Sequence, residues 1–303
     1  MERRCAARRP PIDDGRGDVH GTWTVGADNA TVRNVPEPGP GSIQARRPIP
    51  QLSRINAIRF DGRSIYHALT VKLDRRLAGR IAYNASYTLS RSKDDASSPG
   101  PTEAEQNVPQ NVRNVFDESG EWAHSSFDHR HQFVVSGVYE LPFFQVAAGF
   151  TRAALSGWRL NAIFTAQSGA PFTVNLSVDR ANIGAGPAQR PDQLRDPNLP
   201  RGERTPERWF DTSAFALQAP FTFGSAPRNS VIGPGYANVD FALAKIWMPG
   251  TTGRQFEFRW EVFNLFNRAN FDLPNRTFGN PNFGRIFSAK SPREMQFGLR
   301  FGF

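Results

Sequence analysis

The last nine residues of the chain, Met295 to Phe303, alternate without exception. Met295, Phe297, Leu299, Phe301 and Phe303 are apolar, and the residues between them are polar or glycine. A period of two belongs to a β-strand with one apolar and one polar face. The same pattern recurs upstream. Ile58 and Phe60 predict a short strand that ends in an Asp61-Gly62 turn. Ile65, His67, Leu69, Val71 and Leu73 then alternate with Tyr66, Ala68, Thr70, Lys72 and Asp74. After a tight connection at 75–79, Ile81, Tyr83, Ala85, Tyr87 and Leu89 share one face, opposite Arg80, Asn84, Ser86, Thr88 and Ser90. Further strands are predicted at 132–141, at 158–167, from Val239 to a register slip near Lys245 read as a bulge, and at 255–262. With the closing stretch this makes about eight strands.

The connections between them alternate in length. They are short at 75–79 and 249–253, moderate at 142–156, and long at 91–129, 169–236 and 267–292. Each clear strand has roughly the 9–11 residues that a tilted strand needs to cross a bilayer. Short turns on one side and long loops on the other are the plan of an outer-membrane barrel, with the C-terminus on the short-turn side. A sandwich strand also alternates. Here Phe, Trp and Tyr recur on the apolar face and near strand ends, as in interfacial girdles, which favours the membrane wall. Arg80, Asn84, Arg159, Asn161, Gln167, Glu257, Arg259, Glu261 and Arg300 fall on the other face and are expected to line a lumen. Residues 1–50, with Arg/Pro pairs and the run PEPGPGSIQARRPIP, read as an irregular N-terminal segment. Residues 51–303 form the barrel part. The fold class is therefore all-β: an antiparallel transmembrane β-barrel with long extracellular loops.

Composition changes this picture little. A mean hydropathy of -0.50 over 303 residues and the lack of an apolar run near ~18 residues exclude a helical membrane protein, not a strand-built one. Aromatics at 12%, with 25 Phe, lean towards strands. The formal charge of +9 raises nucleic-acid binding. The arginines, however, are scattered and alternate with aromatics inside strands, so no nucleic-acid partner is expected. Cys5 is alone, which leaves neither a disulfide framework nor a metal-type cysteine spacing. The N-terminal MERRCAARRPPIDDGRGD has no apolar stretch of the signal-peptide kind.

Seven segments carry a family resemblance. They are SIYHALTVKLDRR (64–76) with YNASYTLSRSKDD (83–95), SSFDHRHQFVVSGVYELP (125–142) and LSGWRLNAIFTAQSGAPFTV (155–174). RNSVIGPGYANVDFALAKIW (228–247), FEFRWEVFNLFNRANF (256–271) and FGRIFSAKSPREMQFGLRFGF (283–303) follow. In order and spacing they resemble the C-terminal barrel of TonB-dependent receptors, in particular the Oar-like subgroup, from about Gly41 to Phe303. The resemblance implies outer-membrane location in a Gram-negative type of cell and a gated importer or receptor for a large or scarce solute. It implies as partners the membrane lipid and the barrel assembly machinery, which reads the terminal strand (Met295, Phe297, Leu299, Phe301, Phe303). It implies coupling to TonB through an N-terminal part with a plug. The chain departs from the family in having no signal peptide, no plug and only about eight of the ~22 strands of such a barrel. It is thus expected to be a C-terminal portion of the barrel.

Candidate chemistry is sparse. Asp128, His129 and His131 raise a metal site, yet third and fourth ligands are not evident, and the resemblance to an FDxRH-type pattern implies loop closure. Glu257 and Glu261, four residues apart on a strand, stand roughly 13 Å apart, beyond the ~5–9.5 Å of glycosidase carboxylates. No nucleophile elbow, P-loop or zinc-protease motif is present, so neither catalysis nor a cofactor is expected. Asn264, Asn267 and Asn270 read as turn and rim residues, and Phe263 and Phe266 as interface or loop packing. The long loops read as solvated surface, and in a full receptor they and the inner wall would supply ligand contacts. Two other readings remain open: a complete small eight-stranded barrel of structural or adhesive role, with a side-chain-filled interior, and a soluble β-sandwich binding module.

Overall fold

A computed structural model describes residues 13–95, 114–143, 149, 151, 155–184, 189–248 and 254–302. Cys5, the 249–253 turn and Phe303 lie outside the described residues. Eight long strands form one antiparallel meander in sequence order: β1 (Asp13–Arg33), β2 (Ile55–Ala78), β3 (Ile81–Asp94), β4 (His131–Glu140), β5 (Trp158–Gln167), β6 (Tyr236–Trp247), β7 (Gln255–Phe263) and β8 (Glu294–Gly302). Every sequence neighbour is a spatial neighbour. The sheet is open, with β1 and β8 at its two edges.

The expected alternation of loops holds. The connections 79–80, 141–157 and 248–254 leave one rim, and 34–54, 95–130, 168–235 and 264–293 leave the other. The count of eight strands also holds, but two differences compensate within it. Residues 13–33, expected to be irregular, form β1 and pair with β2 from Asp13↔Arg75 to Arg33↔Ile55. The two strands expected on either side of Asp61-Gly62 are one continuous β2. Gly62 sits within the ladder opposite Ala27, between register shifts at Val25/Ala27 and Ala27/Asn29. Gly26 takes φ +88° there, so the Gly-rich pair absorbs an irregularity in the ladder instead of reversing the chain. Lys245 brings no register slip either, since β6 pairs without interruption with both β5 and β7.

Register fixes which side chains share a face. The row Tyr139, Leu160, Leu243, Trp260, Phe297 runs across β4–β8 on the apolar face. Aromatic stacking ties neighbouring strands there, as in Trp260 on Phe297 at 6.3 Å and Phe256 against Phe301 at 4.6 Å. No second sheet covers this face among the described residues. Leu299 is 87% exposed, Phe297 71% and Trp23 73%. A soluble protein does not leave so large an apolar patch open to water, and this removes the sandwich reading. β4, β5, β7 and β8 have 9 or 10 residues each, the length of a tilted spanning strand. β1 and β2 are longer. Residues 55–63 ladder with β1 beyond the end of β3, a two-stranded ribbon that rises roughly 30 Å on the long-loop side.

Candidate functional site

The polar face of the sheet carries the residues expected to line a lumen. Asn84, Arg159, Asn161, Gln167, Glu257, Arg259, Glu261 and Arg300 all share it. Arg159 is bridged to Glu140 at 2.9 Å and Arg259 to Glu261 at 2.9 Å. Arg300 stands opposite Glu257, and Gln296 donates to Glu261. Glu257 and Glu261 thus meet basic or amide neighbours and not each other. Asn84 donates to Asp74. Arg80 departs from expectation: it lies in the tight β2–β3 turn at φ +83°, not on a strand. Near the short-turn rim a cavity of about 670 Å³ opens on this part of the sheet, lined by Asp14, Arg16, Asp74, Arg75, Arg76 and Asn84 among others.

At the other rim the described parts of the long connections are not the solvated loops that their composition suggests. They fold on one another into a cap with its own core. Phe172, Val174, Phe210, Phe215 and Val231 are buried together, with Trp209, Phe278 and Phe283 packed around them. Edge-to-face contacts of Phe210 with Phe172 (5.9 Å), Phe215 (6.0 Å) and Phe283 (5.1 Å) orient the rings. A second cluster joins Val32 at the tip of β1 to Val35, Val115, Ala181 and Ile183, so the β1–β2 ribbon props the cap.

Two-residue pairings fasten the cap internally: Pro171–Phe172 with Val231–Ile232, and Asp192–Gln193 with Phe215–Ala216. Where the two legs of the 168–235 loop leave the sheet, a side chain at Gly169 would collide with the backbone of Gly233. That close approach requires glycine.

Buried charges join the loops. Arg190, fully buried, pairs with Glu121, and Arg228 pairs with Asp94 and donates to the Glu121 carbonyl at 3.1 Å. Asn229 donates to the His124 carbonyl at 2.7 Å and shares a hydrogen bond with Thr173. Desolvation, reinforced by nearby Arg201, lowers the pKa of Arg204, whose Nε donates to the Leu199 carbonyl.

Sequence reasoning missed Arg190, Arg228 and their partners, because they meet only through contacts between distant loops. The histidine group behaves as a seam. His129 Nδ1 lies 2.7 Å from the Ser168 carbonyl, His131 Nδ1 lies 2.8 Å from the Tyr87 hydroxyl, and Asp128 contacts the Ser92 amide and His124. The rings turn to different partners, and among the described residues no three His, Cys, Asp or Glu side chains gather in a metal-binding geometry.

Asn264 (φ +52°) closes the β7 rim. Its amide donates to Asp240 at 3.0 Å, its side chain donates to the Arg268 and Ser291 carbonyls, and its Oδ1 accepts from Arg268 N. Asn267 accepts from Arg293 N and Asn270 from Ala237 N. Phe263 and Phe266 are exposed beside this rim.

An open antiparallel wall, apolar on one side and polar on the other and capped at one rim, is the structure of an outer-membrane barrel wall. The family model described as "Outer membrane beta barrel domain" matches residues 19–296, and the chain belongs to that family. Its location is the outer membrane. Among solved structures, the outer membrane transporter YddB from Escherichia coli is similar at a TM-score of 0.46 and 9% identity, over 94% of this chain and 29% of that one. The chain therefore spans less than a third of that protein's length. No curated protein sequence matches it.

Proposed function

We propose that this chain forms the C-terminal wall and outer cap of an outer-membrane receptor of the TonB-dependent type, Oar-like in its motifs, that binds or imports a solute. The observation that carries this reading is the open sheet. β1 and β8 are edges and do not pair with each other among the described residues, which supports reading the polar face as part of a wall with further strands. A barrel of eight strands would have a side-chain-filled interior, whereas a many-stranded one leaves a wide lumen, suited to the large polar face and its cavity. On this reading the cap and the polar wall meet the solute. The barrel assembly machinery inserts the protein among outer-membrane lipids, and a more N-terminal part makes the contact with TonB. The wall does no catalysis.

Refolding residues 1–303 alone in detergent tests the proposal. Association through the open edges is expected, with no heat-modifiable monomer on a denaturing gel. A compact heat-modifiable monomer would overturn it in favour of a complete small barrel.

A further inference from the structure

Lys245 is the one lysine or arginine on the apolar face of β4–β8 among the described residues. Register places Trp158 of β5 and Phe258 of β7 directly opposite it. Trp247 lies two residues nearer the short-turn rim on the same face. The ammonium lies 5.3 Å from the centre of the Trp158 ring and donates to the Ser156 carbonyl at 2.6 Å.

That carbonyl is held in place by Gly157. At φ +76° it presses the chain before β5 onto β6, and its carbonyl accepts from Ile246 N at 3.2 Å. A Cβ at Gly157 would come within 2.8 Å of the Ile246 oxygen. Ser156 takes one of the three N–H donors of the lysine.

The level of the site on the wall decides what takes the others. Just below, Trp247 stacks on Phe256 at 5.4 Å and Phe256 packs against Phe301, an aromatic row of the kind that marks the headgroup level of a barrel. A cation on the lipid face is unfavourable at the bilayer centre and tolerated near the interface. In a bilayer the acidic groups at the headgroup level are lipid phosphates.

We propose that Lys245, the Ser156 carbonyl and the rings of Trp158 and Trp247 form a site for the phosphate of a phospholipid headgroup in the leaflet at the short-turn rim. The lysine supplies the charge, Ser156 orients it, and the two indoles flank the glycerol region. This site depends on the membrane-facing wall and not on the receptor reading.

Native mass spectrometry of the protein extracted in detergent from outer membranes, as it exists there, stripped of lipid and titrated with phosphatidylglycerol or with uncharged diacylglycerol of the same chains, tests it. Preferential retention of phosphatidylglycerol is expected. Lys245→Gln should lower that preference about fivefold, and Lys245→Arg should retain it. Millimolar inorganic phosphate should not displace the lipid, and effective displacement would mean a free-anion site and overturn the lipid assignment. An unchanged preference in Lys245→Gln would also overturn the proposal. Should that variant fail to fold, the wild-type protein still decides: equal retention of the charged and uncharged lipids would end the proposal.

Discussion

Asp211 shows how single side chains hold the cap. It precedes the short 3-10 turn Thr212–Ala214 and accepts from Ser213 N at 3.1 Å and from the Ser213 hydroxyl at 2.6 Å. Its other oxygen takes Arg195 Nη2 at 2.7 Å. The Ser213 hydroxyl holds the carboxyl below its ordinary pKa; burial opposes this and Arg195 adds to it. Asp272 is lowered in the same way, first by its hydrogen bond from Lys290. Because the folded value lies below the unfolded one, near 3.9, the unfolded segment takes up its proton first as pH falls. The stabilisation is thus fully present above about pH 4 and is lost as pH drops through the folded value. Asp211→Asn keeps a turn-capping oxygen but loses the charge that meets Arg195. At pH 7 it should lower the local opening free energy of residues 192–216 by about 1 kcal/mol, read by amide hydrogen exchange. The difference from wild type should shrink below about pH 4. A difference that stays constant from pH 7 to pH 3 would contradict this role.

At the scale of elements, legibility followed the size of the side chains on the apolar face. β3, β4, β5, β7 and β8 carry Tyr, Phe, Trp or Leu at alternate positions, and their periodicity stands out in the sequence. β1 carries Gly15, Gly17 and Gly21 at the corresponding positions, so its alternation has gaps, and Asp and Gly are weak strand formers. Its order comes from the long ladder with β2, a tertiary partner that a local pattern cannot report. The cap was illegible for a related reason. Arg228 and Asp94 are 134 residues apart, and Arg190 and Glu121 are 69 apart. Lys245 looked like a break in β6 because a cation interrupted an apolar column, yet the backbone carries it without a shift.

β8 also makes a prediction. It is an edge strand, and Met295, Phe297, Leu299 and Phe301 are exposed, available to the machinery that we propose recognises it. Deletion of Phe303 should reduce the level of the protein in outer-membrane fractions severalfold, measured by immunoblot against an unrelated barrel. Undiminished insertion would remove the terminal aromatic from that role.

For the molecule as a whole, the wall and the cap form one unit. The β1–β2 ribbon reaches the second cap cluster through Val32, and Arg59 near the start of β2 pairs with Glu118. Among the described residues, the loop surface turned to the outside is therefore a packed relief and not a set of independent tethers. This arrangement requires the cap to face outwards and the short turns to face the periplasm, as the barrel plan dictates. Leu194 on the cap and Leu77 beside the 79–80 turn are both exposed, so each can report its side. In a Cys5→Ser background, Leu194→Cys should react with a membrane-impermeant maleimide on intact cells. Leu77→Cys should react only after the outer membrane is permeabilised. The opposite pattern would invert the wall and place the cap in the periplasm. Labelling at both sites in intact cells would mean that the wall does not separate two compartments.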